Sequence, residues 1–171
     1  MTVHAGALIA GFFVWLMPVF ADAPIVRTVF EEIRNQEATL LFGGDMMFDR
    51  SVRTAMAEYG DDHVFSCLTE VLADADLVVA NLEGPITSFP SVSVGSVPGE
   101  SDNFIFTFST STATLLRRHN ITLVNLGNNH IFNFGHAGVA QTKAWLDRAQ
   151  VQYFGDPEGR ETDRVARLEI N

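Results

Sequence analysis

The residues best suited to chemistry are three groups of polar side chains, each of which follows a short apolar run. These groups are Asp45 after residues 38–42, Asn81 and Glu83 after residues 76–80, and Asn128, Asn129 and His130 after residues 121–124. The runs are aliphatic and partly β-branched, which predicts buried β-strands. In an open α/β sheet, ligands bind outside the carboxyl ends of the strands. We therefore expect the three groups to meet at one edge of a sheet.

Carboxylate, amide and imidazole groups together form a ligand set for hard or borderline divalent metals. Two metals about 3.5–4 Å apart need a bridging carboxylate, which Glu83 in the middle group could supply. His130 could act as a general acid toward a leaving oxygen, since an imidazole titrates near neutral pH. The alternative is that Asp45 and Asn81 only serve strand-end turns. Asp49 is predicted to cap the following helix rather than to bind metal.

Signals for strands and helices alternate along the chain between these groups. Strands are predicted at 38–42, 76–80, 121–124 and 151–154, with further short strands at 104–108 and 164–170. Helices are predicted at 51–59, 63–73 (with Asp62 as its cap), 109–119 and 138–149. The alternation predicts an α/β fold with a mostly parallel sheet and helices on both faces. Residues 88–103 are rich in Ser, Pro and Gly and are predicted to form a long exposed loop.

Composition limits the class of protein. The chain has 171 residues, 47% of them hydrophobic, which predicts one domain with a packed core. Its net charge of −10 argues against non-specific binding to nucleic acid, which needs a basic surface. Cys67 is the single cysteine, so neither an internal disulfide nor a cysteine-based zinc site can form. We expect Cys67 to pack in the core.

The N-terminal segment is typical of an exported protein. Residues 5–20 carry no charge, and Ala21-Asp22-Ala23 follows, which is the layout of a secretory signal peptide over residues 1–23. An uncleaved membrane anchor is the alternative. Residues 24–37 are predicted to be a lead-in to the domain. We therefore expect a protein that is exported or associated with the cell envelope.

Three motifs resemble those of a known family. GDMMFDR at 44–50 is similar to its G-D-x-M-x-x-R motif, NLEGP at 81–85 to its N-L-E-G-P motif, and NNHIFNFGHAG at 128–138 to its N-N-H-x-x-D-x-G-x-x-G motif. The family is that of the bacterial capsule-synthesis proteins of the CapA (poly-γ-glutamate biosynthesis) type, which resemble calcineurin-like metallophosphoesterases. The resemblance covers about residues 38–154. Three motifs in order, each at a strand end, make it a specific one.

The resemblance implies a fold and a set of residue roles. The fold would be a four-layer α/β/β/α metallophosphatase-like sandwich, with residues 38–171 as its N-terminal part. Two divalent ions, of Mn, Mg, Zn or Fe, would be bound. Asp45 would be a metal ligand after the first strand, Glu83 would bridge the two metals, and Asn129 would bind the second metal. His130 would be the general acid or would contact the transition state. Three further residues would support the ligands or contact the substrate: Arg50, Asn81 and Asn128.

Two departures from the family pattern qualify these roles. Asn133 stands where the family has Asp, so a charge beside the site is missing. No G-H-H-x-H motif follows the third motif, and the H-x-G pattern of His136 lies on the turn into a helix and is not the family's later motif, so we expect the chain to be the first part of a longer protein.

The functional expectation is an exported capsule protein that acts on an anionic polymer or a phosphoester, with membrane-bound capsule-synthesis proteins as its partners. One alternative is a metal-dependent phosphoesterase that acts on a phosphodiester or nucleotide. The other alternative is an envelope scaffold without catalytic activity.

Overall fold

Parallel β-strands alternate with α-helices along residues 37–168, the part of the chain that the computed structural model describes. The elements in chain order are β1 (Leu40–Met46), α1 (Arg50–Tyr59), α2 (Thr69–Ala73), β2 (Leu77–Leu82), α3 (Thr112–Arg118), β3 (Ile121–Asn125), α4 (Gly135–Ala149) and β4 (Gln152–Phe154). Each strand pairs in parallel with the next, in the order β1-β2-β3-β4. The predicted α/β fold with a parallel sheet is therefore confirmed.

The main hydrophobic core lies between the helices and one face of the sheet. Val78 and Val124 of the central strands pack there with Met56 of α1, Leu116 of α3 and Leu146 of α4. Burying these side chains provides the main driving force for folding, at about 1.5–3 kcal/mol for each large aliphatic residue. The buried strands carry nearly continuous apolar runs, as central parallel strands do.

The opposite face of the sheet is apolar but only partly covered. Leu77, Val79 and Leu123 are buried there, with Ala166 packed against them, whereas Phe42 of β1 is 71% exposed. All four described helices contribute to the first cluster and none to this one. The expectation of helices on both faces is therefore wrong for residues 37–168.

The helix predicted at 63–73 is divided in two. The structure has a 3₁₀ helix, Asp61–Phe65, then a turn, then the short helix α2. Asp62, the expected cap, instead contacts two residues at the end of α3. Its Oδ1 accepts a hydrogen bond from Arg118 Nε at 2.8 Å and lies 2.7 Å from His119 Nε2. Cys67, expected in the core, is exposed in the turn, because the break removes it from the apolar stripe of a continuous helix.

Two predicted strands are also absent among the described residues. Residues 104–108 contain only one parallel bridge, between Phe108 and Ile86. The alternation there reflects packing, since Phe106 and Phe108 are buried and Phe104 is 48% exposed. Residues 161–164 form a 3₁₀ helix, and no strand follows up to residue 168. The predicted end of that strand, at 169–170, lies outside the described residues.

Within residues 37–168, no helix has the length and apolarity to cross a bilayer. The predicted signal peptide or anchor (1–23) and most of the predicted lead-in (24–37) lie outside the described residues, so these remain predictions.

Candidate functional site

An irregularity in β1 brings the first polar group into line with the second. The register between β1 and β2 shifts between Phe42 and Asp45, so that Asp45 pairs with Asn81. Asn81 in turn pairs with Asn125 of β3. Such a bulge re-aims the side chains that follow it. The result is a row of three polar residues across the carboxyl ends of three adjacent strands.

Asn81 is the centre of the hydrogen-bond network at this edge. Its Nδ2 donates to Asp45 Oδ1 at 2.7 Å and to Glu83 Oε2. Its Oδ1 accepts hydrogen bonds from Asn125 Nδ2 at 3.0 Å and from Asn128 Nδ2 at 3.1 Å. All four hydrogen bonds lie within one cluster, which we call the Asn81 cluster: Asp45, Asn81, Glu83, Asn125, Asn128 and His130.

The orientation of the Asn81 amide follows from backbone donors, which can only donate. Asn128 Oδ1 accepts two backbone N–H bonds at 3.0 Å, so its Nδ2 must be the group that faces Asn81. Asn125 Oδ1 accepts a hydrogen bond from Gly127 N at 3.0 Å, which fixes that amide in the same way. Two donors therefore meet Asn81 Oδ1, and its NH₂ group must face the carboxylates of Asp45 and Glu83.

The same reasoning assigns the proton on His130. Asn133 Oδ1 accepts a hydrogen bond from Phe106 N at 2.9 Å and lies 3.1 Å from His130 Nδ1. Because that oxygen is an acceptor, His130 carries a hydrogen on Nδ1. Nε2 then faces Glu83 Oε1 at 3.8 Å, and the Phe106 ring centroid lies 4.3 Å from that of the imidazole. The neutral amide of Asn133 thus orients His130. In the motif that this segment resembles, the residue at position 133 is an aspartate.

Arg50 lies apart from the carboxylates of the Asn81 cluster. Its Nε donates to Asn103 O at 2.6 Å, and its Cζ lies 4.5 Å from the ring centroid of Phe106 and 5.2 Å from that of Phe104. Within residues 37–168 no carboxylate lies within ion-pair distance of its guanidinium. The predicted contact of Arg50 with a carboxylate of the site is therefore not seen among residues 37–168, and its contact with an anionic substrate stays a prediction.

The structure brings together five of the seven predicted site residues. Asp45, Asn81, Glu83, Asn128 and His130 share one connected set of contacts, although Asp45 itself is exposed. Asn129 is exposed, and its side chain makes no hydrogen bond with the described part of the chain. Arg50 reaches this set only through the Phe106 ring.

Sequence reasoning missed Asn125. It sits two positions after buried Leu123, so the two-residue period of a strand places it on the same face. A polar residue at the last position of an apolar strand is the signal that could have identified it.

Asp49 occupies the cap position that the sequence predicts, but its side chain has a different role. It stands at the N-cap position of α1, but its side chain makes no capping bond. Its carboxylate is fully buried and accepts hydrogen bonds from Arg53 Nε at 3.0 Å, Ser91 Oγ at 2.7 Å and Thr107 N at 2.8 Å. The side chain thereby ties α1 to two later segments of the chain.

The donor groups fit part of a divalent-cation site. One oxygen of Asp45 and one of Glu83 are both within hydrogen-bond range of Asn81 Nδ2, and both side chains are partly open to solvent. Carboxylate oxygens suit Mg, Mn, Zn or Fe, and such ions can keep water in their other positions. In the described part of the chain, no three His, Cys, Asp or Glu side chains surround one point. The residues present thus supply two carboxylates, with His130 beside them.

A family of known proteins matches the part of the chain that contains all three motifs. The model of the family described as bacterial capsule synthesis protein PGA_cap matches residues 39–171. The chain is 26% identical over 144 residues to the capsule biosynthesis protein CapA of Bacillus anthracis, covering 84% of this chain and 33% of that protein. It is 25% identical over 123 residues to the PGA biosynthesis protein CapA of Bacillus subtilis (strain 168), covering 71% and 30%. The chain spans about a third of the length of these curated relatives.

Proposed function

The chain belongs to the PGA_cap family of bacterial capsule synthesis proteins, and from this membership we propose that it acts in the synthesis or attachment of an anionic capsule polymer of the poly-γ-glutamate type. The supporting observation is the Asn81 cluster, in which the residues of the family motifs meet at one sheet edge. We place the protein outside the cytoplasm, on the strength of the signal-like segment at residues 1–23. Its partners would be membrane-bound proteins of capsule synthesis.

The proposed site binds divalent cations through Asp45 and Glu83. When bound, the metal supplies Lewis-acid polarisation of a carbonyl or phosphoryl oxygen. Asn81 holds both carboxylates through its NH₂ group, and Asn125 and Asn128 hold Asn81 in turn. Such supporting contacts are worth about 10–100-fold in metal affinity. A second metal would need Asn129 and further ligands, as the family resemblance implies.

His130 is the proposed proton donor. Its Nδ1–H is engaged by Asn133, so a proton taken up from solvent is held on Nε2, and the imidazolium can give that proton to a leaving oxygen. The imidazole is 16% exposed, so a substrate can reach it from solvent. Glu83 Oε1 lies 3.8 Å from this Nε2.

The test is polymer output in the source bacterium. We expect Glu83→Gln at the chromosomal locus to lower capsule polymer by about tenfold or more, since one carboxylate ligand is lost. Asp74→Asn, an exposed change of equal charge outside the cluster, should leave polymer output unchanged. Unchanged polymer after Glu83→Gln and after deletion of the gene would contradict the proposal.

A metal-dependent phosphoesterase is a second candidate, favoured by the fixed tautomer of His130 beside Glu83. In this case Mn²⁺-dependent hydrolysis of bis-p-nitrophenyl phosphate should be lost in His130→Ala. A scaffold without catalysis is the third candidate. It is favoured by the absence of three convergent ionisable ligands from residues 37–168, and it predicts normal polymer output in both His130→Ala and Glu83→Gln.

A further inference from the structure

A cavity of about 430 Å³ lies at the start of α1, outside the Asn81 cluster. It is lined by Arg50 and Ser51 of α1 and, from the segment before α3, by Ser96 and Asn103 among others. Serine and threonine residues make up half of its lining, and neither an aspartate nor a glutamate lines it. A cavity with one cation and several hydroxyl-bearing residues is complementary to an oxyanion.

Arg50 is held in this cavity with its charge uncompensated. Its backbone is left-handed, with φ of 54°, which non-glycine residues rarely adopt. Nε donates to Asn103 O, and the guanidinium lies over the rings of Phe104 and Phe106. These contacts fix the side chain but use only one of its five N–H donors. Among residues 37–168, nothing accepts a hydrogen bond from either Nη atom.

The Phe106 side chain connects Arg50 of the cavity to His130 of the candidate site. The Phe106 ring lies 4.5 Å from Arg50 Cζ and 4.3 Å from the centroid of the His130 imidazole. A substrate group held by Arg50 would therefore sit close to the atoms that we assign to proton transfer. In an acidic chain of net charge −10, such a fixed cation marks where a negative substrate can approach.

We propose that the Arg50 cavity is an oxyanion subsite, which holds a negatively charged group of the substrate next to the one that reacts at the Asn81 cluster. The planar guanidinium fork can donate two parallel hydrogen bonds from its Nη atoms to a carboxylate or a phosphate. The anion is either a side carboxylate of an acidic polymer or a phosphate of a phosphoester. This identification of the substrate rests on the proposed function, whereas the binding of an oxyanion at Arg50 does not.

The experiment is a titration of the metal-free 171-residue chain, in EDTA, with γ-linked pentaglutamate and separately with inorganic phosphate. Binding is followed by ¹H–¹⁵N NMR. We expect saturable shifts at the amides of Gly95 and Ser96, and an affinity at least about tenfold lower in Arg50→Gln. Arg117→Gln removes the same charge from an exposed position outside the cavity and should bind like the unaltered chain. Tighter binding of pentaglutamate identifies the polymer as the source, and tighter binding of phosphate identifies a phosphoester.

Ser51→Glu keeps the test decisive if Arg50→Gln fails to fold. A glutamate in the first turn of α1 favours the helix, yet it places a negative charge in the cavity and should abolish anion binding. The absence of saturable binding by either probe would overturn the proposal, as would equal binding in all variants or an equal loss in Arg117→Gln. Because the titration contains no metal, a failure of Mn²⁺ binding would count against the metal site alone.

Discussion

Asn81 determines how the two carboxylates of its cluster are held without a metal. Its NH₂ group lies between Asp45 and Glu83, and the Asn125 and Asn128 amides prevent it from rotating. A neutral donor in this place reduces the repulsion between the carboxylates but does not cancel their charge. The arrangement holds the two carboxylates close together, as the proposed cation site requires.

We predict that Asn81→Asp makes the fold depend on divalent cations. The change removes two donors and adds a third carboxylate, so without metal the free energy of unfolding should fall by about 2 kcal/mol. Millimolar Mn²⁺ should restore the loss, because a ligand that binds only the folded state stabilises it. Thermal unfolding with and without Mn²⁺ measures both effects.

Asn81→Ala is the matched control, since it removes the same donors without adding charge. It should lose less stability and gain less from Mn²⁺. If Asn81→Asp unfolded at the same temperature as the unaltered chain without metal, the two carboxylates would not converge on position 81 as described.

At the scale of elements, one buried carboxylate fixes the segments that surround Phe106. Asp49 precedes α1 and binds Arg53, Ser91 and the backbone of Thr107. It thereby joins the helix that carries Arg50 to the chain on either side of the Arg50 cavity. The loop predicted at 88–103 is accordingly not wholly exposed, since Ser93 and Asn103 within it are buried.

We predict that Asp49→Asn lowers the free energy of unfolding by about 3 kcal/mol, because Asp49 is fully buried and a neutral amide cannot accept all three of its hydrogen bonds or balance the charge of Arg53. Urea denaturation measures the loss. Limited proteolysis should also show faster cleavage within residues 88–103. Asp102→Asn, an exposed change of the same charge, should alter neither. Equal stability of the two variants would mean that the Asp49 contacts contribute nothing to the fold.

A second link between elements depends on pH. Hydrogen bonds from His119 and then from Arg118 hold the pKa of Asp62 below its ordinary value. A carboxyl whose pKa is lower in the folded state stabilises the fold above its unfolded pKa, near 3.9. That contribution is lost as pH falls through the lowered value. We expect the stability of Asp62→Asn to approach that of the unaltered chain below about pH 4. Denaturation midpoints of the two proteins between pH 2 and 7 measure this. A difference in midpoint that stays constant over this range would mean that protonation of Asp62 does not affect folding.

At the scale of the whole molecule, the two faces of the sheet differ in how completely residues 37–168 cover them. The helix face is closed, whereas the other face runs from buried Leu123 to exposed Phe42 at the β1 edge. Leu123→Ala should cost about 2–5 kcal/mol because it opens a cavity. Phe42→Ala should cost less than about 1 kcal/mol, since most of its ring already meets water. Equal losses in urea denaturation would mean that Phe42 is covered in solution.

Much of this organisation could be predicted from the sequence, because it follows local rules. Apolar runs predicted the positions of the four paired strands, and their order along the chain predicted a parallel sheet. The break at Cys67 could not be predicted, since the apolar stripe of 63–73 continues through it. At residues 104–108 the alternating pattern predicted a strand that does not form. Phe106 and Phe108 are buried and so produce the alternation, but the segment pairs with other residues only through a single bridge.

The site was predictable in its residue types and less so in its connections. Strand ends indicated Asp45, Glu83 and His130, but the central place of Asn81 depends on a register shift in β1 that no local pattern reports. The separation of Arg50 from the carboxylates depends likewise on the later rings of Phe104 and Phe106, far along the chain.

Isothermal titration of the chain with Mn²⁺ is the measurement to make first, because the proposed function depends on a cation held by Asp45 and Glu83. We predict saturable binding that Glu83→Gln weakens by about tenfold or more. Glu70→Gln, an exposed change of the same charge on α2, should leave the affinity unaltered. Binding that is absent, or equally strong in Glu83→Gln and the unaltered chain, would contradict the assignment of a metal site to the Asn81 cluster.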